Sequence, residues 1–387
     1  MIRLLLLLSL SVLSQREILA EERAAQTGLA ANLQPFVDGH TLAGAITLVA
    51  DRDKVLDLSA VGFADIEQNR LMKTDDIVWI ASMSKAITAA AVMVLVDEGK
   101  LSLDDPVEKH LPEFKNLWVT VEADNEHRLL RRPSSKITLR QVLCHTSGMP
   151  FRSDMEQPTL DALTLRECAL SYAMTPLLHE PGSKYQYSNS GINTAGRIIE
   201  VVSGQPYETF LQERILDPLG MKDTTFWPSE SQIPRIANAY TPNAEKTGLT
   251  KTTISQLTYP LNLRTRQPMP AGGLFSTATD VSFFCRMLLA EGMFEGKRVL
   301  SAEAVKQMSS RQTEPELPES YGLGLSVSPN SFGHGGALST NMTIDKDRGL
   351  VLVYLVQHAG YANADGKEIQ PTFNKAAHDR FGAKDKN

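Results

Sequence analysis

The chain has 387 residues, more than a single compact core usually holds, so one large domain or two intimate ones are expected. Hydrophobic residues make up 42% and charged residues 22%, the balance of a soluble globular protein. The formal net charge is −6 and no long basic block occurs, which argues against nucleic acid as a partner.

Met1-Ile2-Arg3 precedes a leucine-rich core, Leu4 to Leu13, and then Ser14. One positive charge, a short apolar core and a small residue form the pattern of a secretory signal peptide, read here over residues 1–20 with cleavage after Ser14 or Ala20. The protein is then exported, to the periplasm or the extracellular space. The core is about 15 Å long as a helix, too short for a bilayer, so no stable membrane span is expected after cleavage.

Leu42 to Ala50 and Lys54 to Gly62 are apolar-rich runs around Asp51-Arg52-Asp53, the signature of a hairpin. Ala86 to Val96 is almost wholly apolar and closes at Gly99, which predicts a buried helix. Trp118 to Val121 and His127 to Leu130 predict a small hairpin, and Ile137 to Cys144 a short helix. From Thr164 to about Leu219 the pattern is helical, with breaks at Pro181-Gly182, Ser203-Gly204 and Pro218. Phe226 to Pro260 is polar and turn-rich and is read as loop. Helical patterns return at Thr279 to Glu291 and Ala302 to Met308. Strand-like runs follow at Gly322 to Ser328, Asn341 to Ile344 and Leu350 to Gln357, then a helix from Pro371 to Phe381. Strands at both ends and helices between them predict an α+β fold. Its antiparallel sheet, flanked by helices, belongs to a discontinuous α/β domain (28–105 and 270–387), with a mostly helical domain (106–269) inserted.

Three stretches carry chemistry. Ser82-Met83-Ser84-Lys85 opens the apolar helix, and residues three apart share a helix face. A lysine amine can take the proton of a neighbouring serine hydroxyl if burial keeps the amine neutral. Tyr187-Ser188-Asn189 offers a phenol and a carboxamide two residues apart, facing one way in an extended segment. A tyrosine near cations can be partly ionised and act as acid or base. His334-Gly335-Gly336 lies between strand-like runs, where glycines let backbone N–H groups approach a ligand; the alternative is a glycine turn that happens to contain a histidine. Its histidine is placed to donate to a substrate oxygen or to tune its neighbours.

In this order and spacing the three stretches resemble the motifs of the penicillin-binding-protein and serine β-lactamase superfamily. The tyrosine in the middle motif is similar to class C β-lactamases, D-alanyl-D-alanine carboxypeptidases of that type and family VIII esterases. Leu143 to Pro150, Pro181-Gly182 and Ala271 to Thr277 extend the likeness, which covers about Leu42 to Gln357. The resemblance implies the β-lactamase/transpeptidase-like fold and an acyl-enzyme at Ser82. Lys85 and Tyr187 would share the proton transfers. Asn189 would touch Lys85 and substrate. His334, Gly335, Gly336 and Ala337 would bind substrate, with the N–H groups of Ser82 and Ala337 as oxyanion hole.

One departure bears on specificity. The superfamily's third motif usually carries Lys or His, then a hydroxyl residue, then Gly, and here the middle residue is Gly335. Neither a fixed cation nor a hydroxyl is offered to a substrate carboxylate. The expected function is therefore a serine hydrolase of small esters, amides or peptides, with esters favoured. The alternatives are a D-alanyl-D-alanine carboxypeptidase or β-lactamase, and a catalytically weak peptide-binding or self-assembling member. No metal or organic cofactor is implied, because the other histidines lack ligand spacing. Cys144, Cys168 and Cys285 read as small core residues.

Overall fold

The computed structural model describes residues 28–382. The leader read at residues 1–20 lies outside them.

The sheet is built from both ends of the chain. Gly44–Ala50 (β1) is buried along its whole length, as a strand with helices on both faces must be. It turns at Asp51, whose carboxylate accepts the N–H groups of Asp53 and Lys54 at 2.7 Å each, into Val55–Asp65 (β2). Arg70–Leu71 (β3) completes this edge. The C-terminal part supplies Ser326–Val327 (β4), Ser331–Gly335 (β5), Asn341–Asp345 (β6) and Leu350–Leu355 (β7). The seven strands run in the order β4-β5-β6-β7-β1-β2-β3, and every pairing is antiparallel. Leu48 of β1 stands opposite Val353 of β7, the register that stitches the two ends together.

Six helices place this sheet and the site. They are Ser84–Asp97 (α1), Leu139–Leu143 (α2), Leu165–Met174 (α3), Asn189–Ser203 (α4), Ala278–Leu289 (α5) and Ile369–Phe381 (α6). Residues Ser84 to Leu95 of α1 are all buried, which is why the run is apolar on every side. Helix α4 packs against α1, α2 and α3 and ends at Gly204 in the left-handed conformation. Helix α5 covers β1, β6 and β7 on one face, while α6 and the turn Leu29–Leu33 cover the other. The main core is continuous from Leu48 and Val353 through α1 to Ile192 and Ile198 of α4. A smaller core of Leu33, Val49, Tyr354 and Phe373 lies between sheet and α6.

Three expectations are corrected. The run Gly322 to Ser328 is strand only at Ser326–Val327. Before that it is a cross-link, with Leu323 N–H on the Met308 carbonyl and Gly324 N–H, at φ 66°, on that of Leu143. The loop read at Phe226 to Pro260 contains a hairpin, Ala239–Pro242 with Leu249–Thr252, whose polar, half-exposed residues hide the usual strand pattern. His334 and Gly335 are not in a turn but in strand β5, because hydrogen bonding to β6 overrides the low strand preference of glycine. The expected hairpin near Trp118 is present, as Val119–Ala123 with Arg128–Arg131. All three cysteines are free and buried.

Phe373 is fully buried between α6 and the sheet, stacked on Tyr354 at 6.3 Å between ring centroids. Phe373→Ala should lower the unfolding free energy by about 3–5 kcal/mol in urea titration. A loss below about 1 kcal/mol would contradict this packing.

Candidate active site

Ser82 is placed by a short strand, a strained residue and a helix in succession. Val78–Trp79 pairs with Phe275–Ser276, and the Ile80 N–H donates to the Leu274 carbonyl at 3.0 Å. Ala81 then adopts φ 47°, the left-handed region, which costs a residue with a Cβ about 1–2 kcal/mol. A 3-10 turn, Ala81–Met83, leads into α1. Ser82 therefore stands just ahead of α1 and partly exposed, while Lys85, one turn further, has no exposed surface.

The amine of Lys85 touches three oxygens: Ala271 O at 2.6 Å, Asn189 Oδ1 at 2.7 Å and Ser82 Oγ at 3.2 Å. None belongs to a carboxylate, and burial holds the amine well below the usual lysine range. A neutral amine has two hydrogens and one lone pair. The carbonyl and carboxamide oxygens cannot donate, so they take the two hydrogens. The Ser82 hydroxyl can donate, and the lone pair is left for it.

Asn189 reaches Lys85 because the start of α4 is pinned. The Phe151 carbonyl accepts the N–H groups of Asn189 and Ser190 at 3.0 and 3.1 Å. Ser188 Oγ accepts from Gly191 N–H at 2.9 Å and donates to the Pro150 carbonyl at 2.7 Å. The Ser188 N–H donates to His145 Nδ1 at 3.2 Å, which fixes the proton of that buried imidazole on Nε2.

Tyr187 lies over Lys85, whose Nζ is 4.7 Å from the ring centroid, and its hydroxyl is hydrogen-bonded to Ser82. Burial pushes this phenol up to about 12, with the Ser82 bond opposing it. The expectation of a partly ionised tyrosine gives way to a neutral phenol, since burial outweighs the opposing bond with Ser82.

His334 is buried beneath this group. Its Nδ1–H donates to the Gly335 carbonyl at 2.6 Å, and its Nε2 accepts from Tyr321 Oη at 2.8 Å. Burial pushes it down to about 4, so the ring is neutral with both nitrogens engaged inside the protein. His145 lies 4.5 Å from Tyr187 and 4.9 Å from Tyr321 between ring centroids, closing an aromatic floor under Tyr187.

Gly336 brings the opposite wall. A Cβ there would lie 2.1 Å from Thr340 Oγ1 and 2.6 Å from the Ile80 carbonyl, so the 336–340 loop abuts the turn before Ser82. Ala337 is the next residue. Among the described residues, neither its N–H nor that of Ser82 has a hydrogen-bond acceptor. Gly335 is unlike its neighbour: a Cβ would meet only Thr340 O at 3.5 Å and Asn341 Nδ2 at 3.6 Å.

The structure thus joins Ser82, Lys85, Tyr187 and Asn189 in one contact group, sets Gly336 and Ala337 at its wall, and puts His334 below. Sequence reasoning assigned no role to Ala271, Tyr321 or His145. Tyr321 supports His334 by its hydrogen bond and His145 packs on Tyr187, while Ala271 and His145 lie in the Ala271 to Thr277 and Leu143 to Pro150 stretches that extend the likeness.

The description Beta-lactamase fits residues 29–372 as a protein family. Protein Rv1367c of Mycobacterium tuberculosis is 32% identical over 376 residues, 87% of this chain and 91% of its own length. A lovastatin esterase of Penicillium rubens is 32% identical over 263 residues, 65% of this chain and 63% of the esterase. Among solved structures, EstCE1, described as a hydrolase with promiscuous acyltransferase activity, superposes with a TM-score of 0.74 at 23% identity. That match covers 90% of this chain and 98% of EstCE1, a likeness of fold.

The two glycines of the third motif should respond differently. Gly336→Ala should lower kcat/KM for an activated ester at least about tenfold, because the wall carrying Ala337 must move and one oxyanion donor contributes roughly 3 kcal/mol. Gly335→Ala should stay within about threefold of the parent, given only ordinary contacts there. Equal effects of the two would contradict the geometry.

Proposed function

This chain belongs to the Beta-lactamase family, as a serine hydrolase, and within that family we propose that it is an esterase working through an acyl-enzyme at Ser82. The observation that carries the proposal is the contact set of Lys85: a buried amine with no carboxylate beside it, 2.7 Å from Asn189 Oδ1, 2.6 Å from the Ala271 carbonyl and 3.2 Å from Ser82 Oγ.

Ser82 Oγ attacks the ester carbonyl carbon while its proton passes to Lys85 Nζ. The new Oγ–C bond leaves negative charge on the carbonyl oxygen, held by the N–H groups of Ser82 and Ala337. Collapse breaks the bond to the alkoxy oxygen. That oxygen takes the Tyr187 proton, and Tyr187 is restored from the Lys85 ammonium. Water then replaces the alcohol, and the same groups run in reverse to release the acid.

Substrate class follows from what is missing. His334 is neutral and engaged, and Gly335 has no hydroxyl, so the third motif gives a carboxylate no charge-assisted bond. Such a bond contributes roughly 1.5–3 kcal/mol, about ten- to a hundredfold in affinity. Three arginines that could replace it are engaged elsewhere. Arg266 is buried in an ion pair with Asp161 at 2.7 Å, Arg348 is paired with Asp345 at 3.0 Å, and Arg264 lies over the Trp227 ring. The lovastatin esterase among the relatives supports the ester over the β-lactam and peptide readings.

Residues 1–20 support export as part of the same proposal. Sequencing the mature N-terminus from the native host should begin after Ser14 or Ala20, and an intact Met1 on cytoplasmic protein would contradict it.

Neutral esters such as p-nitrophenyl butyrate should be turned over with higher kcat/KM than benzylpenicillin or a D-Ala-D-Ala peptide, and Ser82→Ala should abolish both turnover and fluorophosphonate labelling. Faster penicillin or peptide turnover would overturn the esterase assignment and leave Ser82 standing. Full labelling of Ser82→Ala would overturn the nucleophile.

A further inference from the structure

The Ala271 carbonyl that holds Lys85 does not hold itself. Ala271 sits in an irregular run after Pro270, and its N–H donates to Asn193 Oδ1 at 3.0 Å. Asn193 is four residues after Asn189 on α4, so the two carboxamides stand one above the other on one helix face. The first holds the Lys85 amine directly. The second holds the residue whose carbonyl accepts that amine's other hydrogen.

The orientation of Asn193 is itself fixed. Its Nδ2 donates to Tyr172 Oη at 3.1 Å, and the Tyr172 hydroxyl donates to Glu156 Oε1 at 2.7 Å. Glu156 Oε2 takes the Ser153 N–H at 2.7 Å. With its hydrogen committed to Glu156, Tyr172 can only accept from Asn193, so the amide group must face Tyr172 and the oxygen must face Ala271. Asn193, Tyr172 and Glu156 are each no more than 2% exposed. A buried polar chain of this kind is costly unless every member is satisfied, and here each link is. Thr88, one turn beyond Lys85, holds the neighbouring Pro270 carbonyl at 2.8 Å, which closes the other end.

We propose that Asn193 is a positioning residue of the esterase site, which aims the Ala271 carbonyl at Lys85 and, through the Tyr172–Glu156 chain, keeps the lone pair of that amine on Ser82. The inference rests on the reading of Lys85 as the base. Its consequence is that a residue outside the three motifs, touching neither Ser82 nor Lys85, governs kcat.

The test uses the full chain and p-nitrophenyl butyrate. Asn193→Ala frees the Ala271 carbonyl and should cost roughly 10- to 100-fold in kcat with KM nearly unchanged, the penalty of misplacing a catalytic group by about an ångström. Asn193→Asp keeps the oxygen that receives the Ala271 N–H but adds a carboxylate near Lys85. Having lost the donation to Tyr172, it should fall between Asn193→Ala and the parent in plateau rate. Activity requires the neutral amine and a nearby negative charge favours the ammonium, so its acid limb should move to higher pH. Tyr172→Phe, which removes only the orienting hydroxyl, should fall between Asn193→Ala and the parent, and serves with Asn193→Asp if Asn193→Ala does not fold. A parent-like kcat in Asn193→Ala, or in Tyr172→Phe where that variant stands in for it, would overturn the proposal. So would an Asn193→Asp variant whose acid limb stays where it was. Parent protein without ester turnover would contradict the esterase reading instead, and the rate of fluorophosphonate labelling at Ser82 then ranks the same variants, since it needs only the activated hydroxyl.

Discussion

A lysine amine with no exposed surface and no anionic partner is the constraint on which the site depends. Burying an unpaired ammonium costs several kcal/mol even after the protein relaxes, so the group sheds its proton instead. Once neutral, its hydrogen bonding can be counted. Two acceptors that cannot donate use up the hydrogens, and the one contact that can donate is Ser82, the proposed nucleophile. The polarity of the site follows from that count. It also explains why Tyr187 stays a phenol: without a cation beside it, burial raises its proton affinity against the opposing bond with Ser82.

The surrounding structure keeps this arrangement rigid at several points at once. The strained Ala81 is held because the two residues before it are bonded to their surroundings, Trp79 Nε1 to the Gly272 carbonyl at 2.6 Å and Ile80 N–H to that of Leu274. The run 271–275 therefore serves twice, fixing the approach to Ser82 and offering the Ala271 carbonyl to Lys85. The third motif contributes differently from its two neighbours. His334 props the aromatic floor from below, Gly336 permits close approach of the 336–340 loop, and Gly335 has only ordinary contacts around the place of a Cβ and supplies no hydroxyl. Specificity and catalysis are thus separable here, because the nucleophilic group does not depend on what stands at residue 335.

Much of this was legible in the sequence, and for identifiable reasons. The all-apolar run after Lys85 announces a buried helix, and a Ser-x-x-Lys at its mouth places the amine in the core. The strand before Asp51 and the apolar run at Leu350 read directly as strands because burial on both faces makes them continuously hydrophobic. Other features had no local signal. His334 and Gly335 look like a turn because glycine disfavours strands, and only pairing with β6 makes them one. Ala271 has no reactive side chain, and its contribution is a backbone carbonyl whose direction is set by Asn193, 78 residues earlier in the chain. Asn193 itself lies one helical turn past a motif residue, a spacing that marks a shared face but not what that face meets.

The protonation state of Lys85 is the direct measure of this account. Nitrogen-15 NMR of the lysine side chains, assigned by comparison with a Lys85→Arg variant, reports it against pH. The account predicts a neutral amine at pH 7, with a titration well below the usual lysine range near 10.5. An ammonium at pH 7 that titrates in the ordinary lysine range would leave no lone pair for Ser82 and would contradict it.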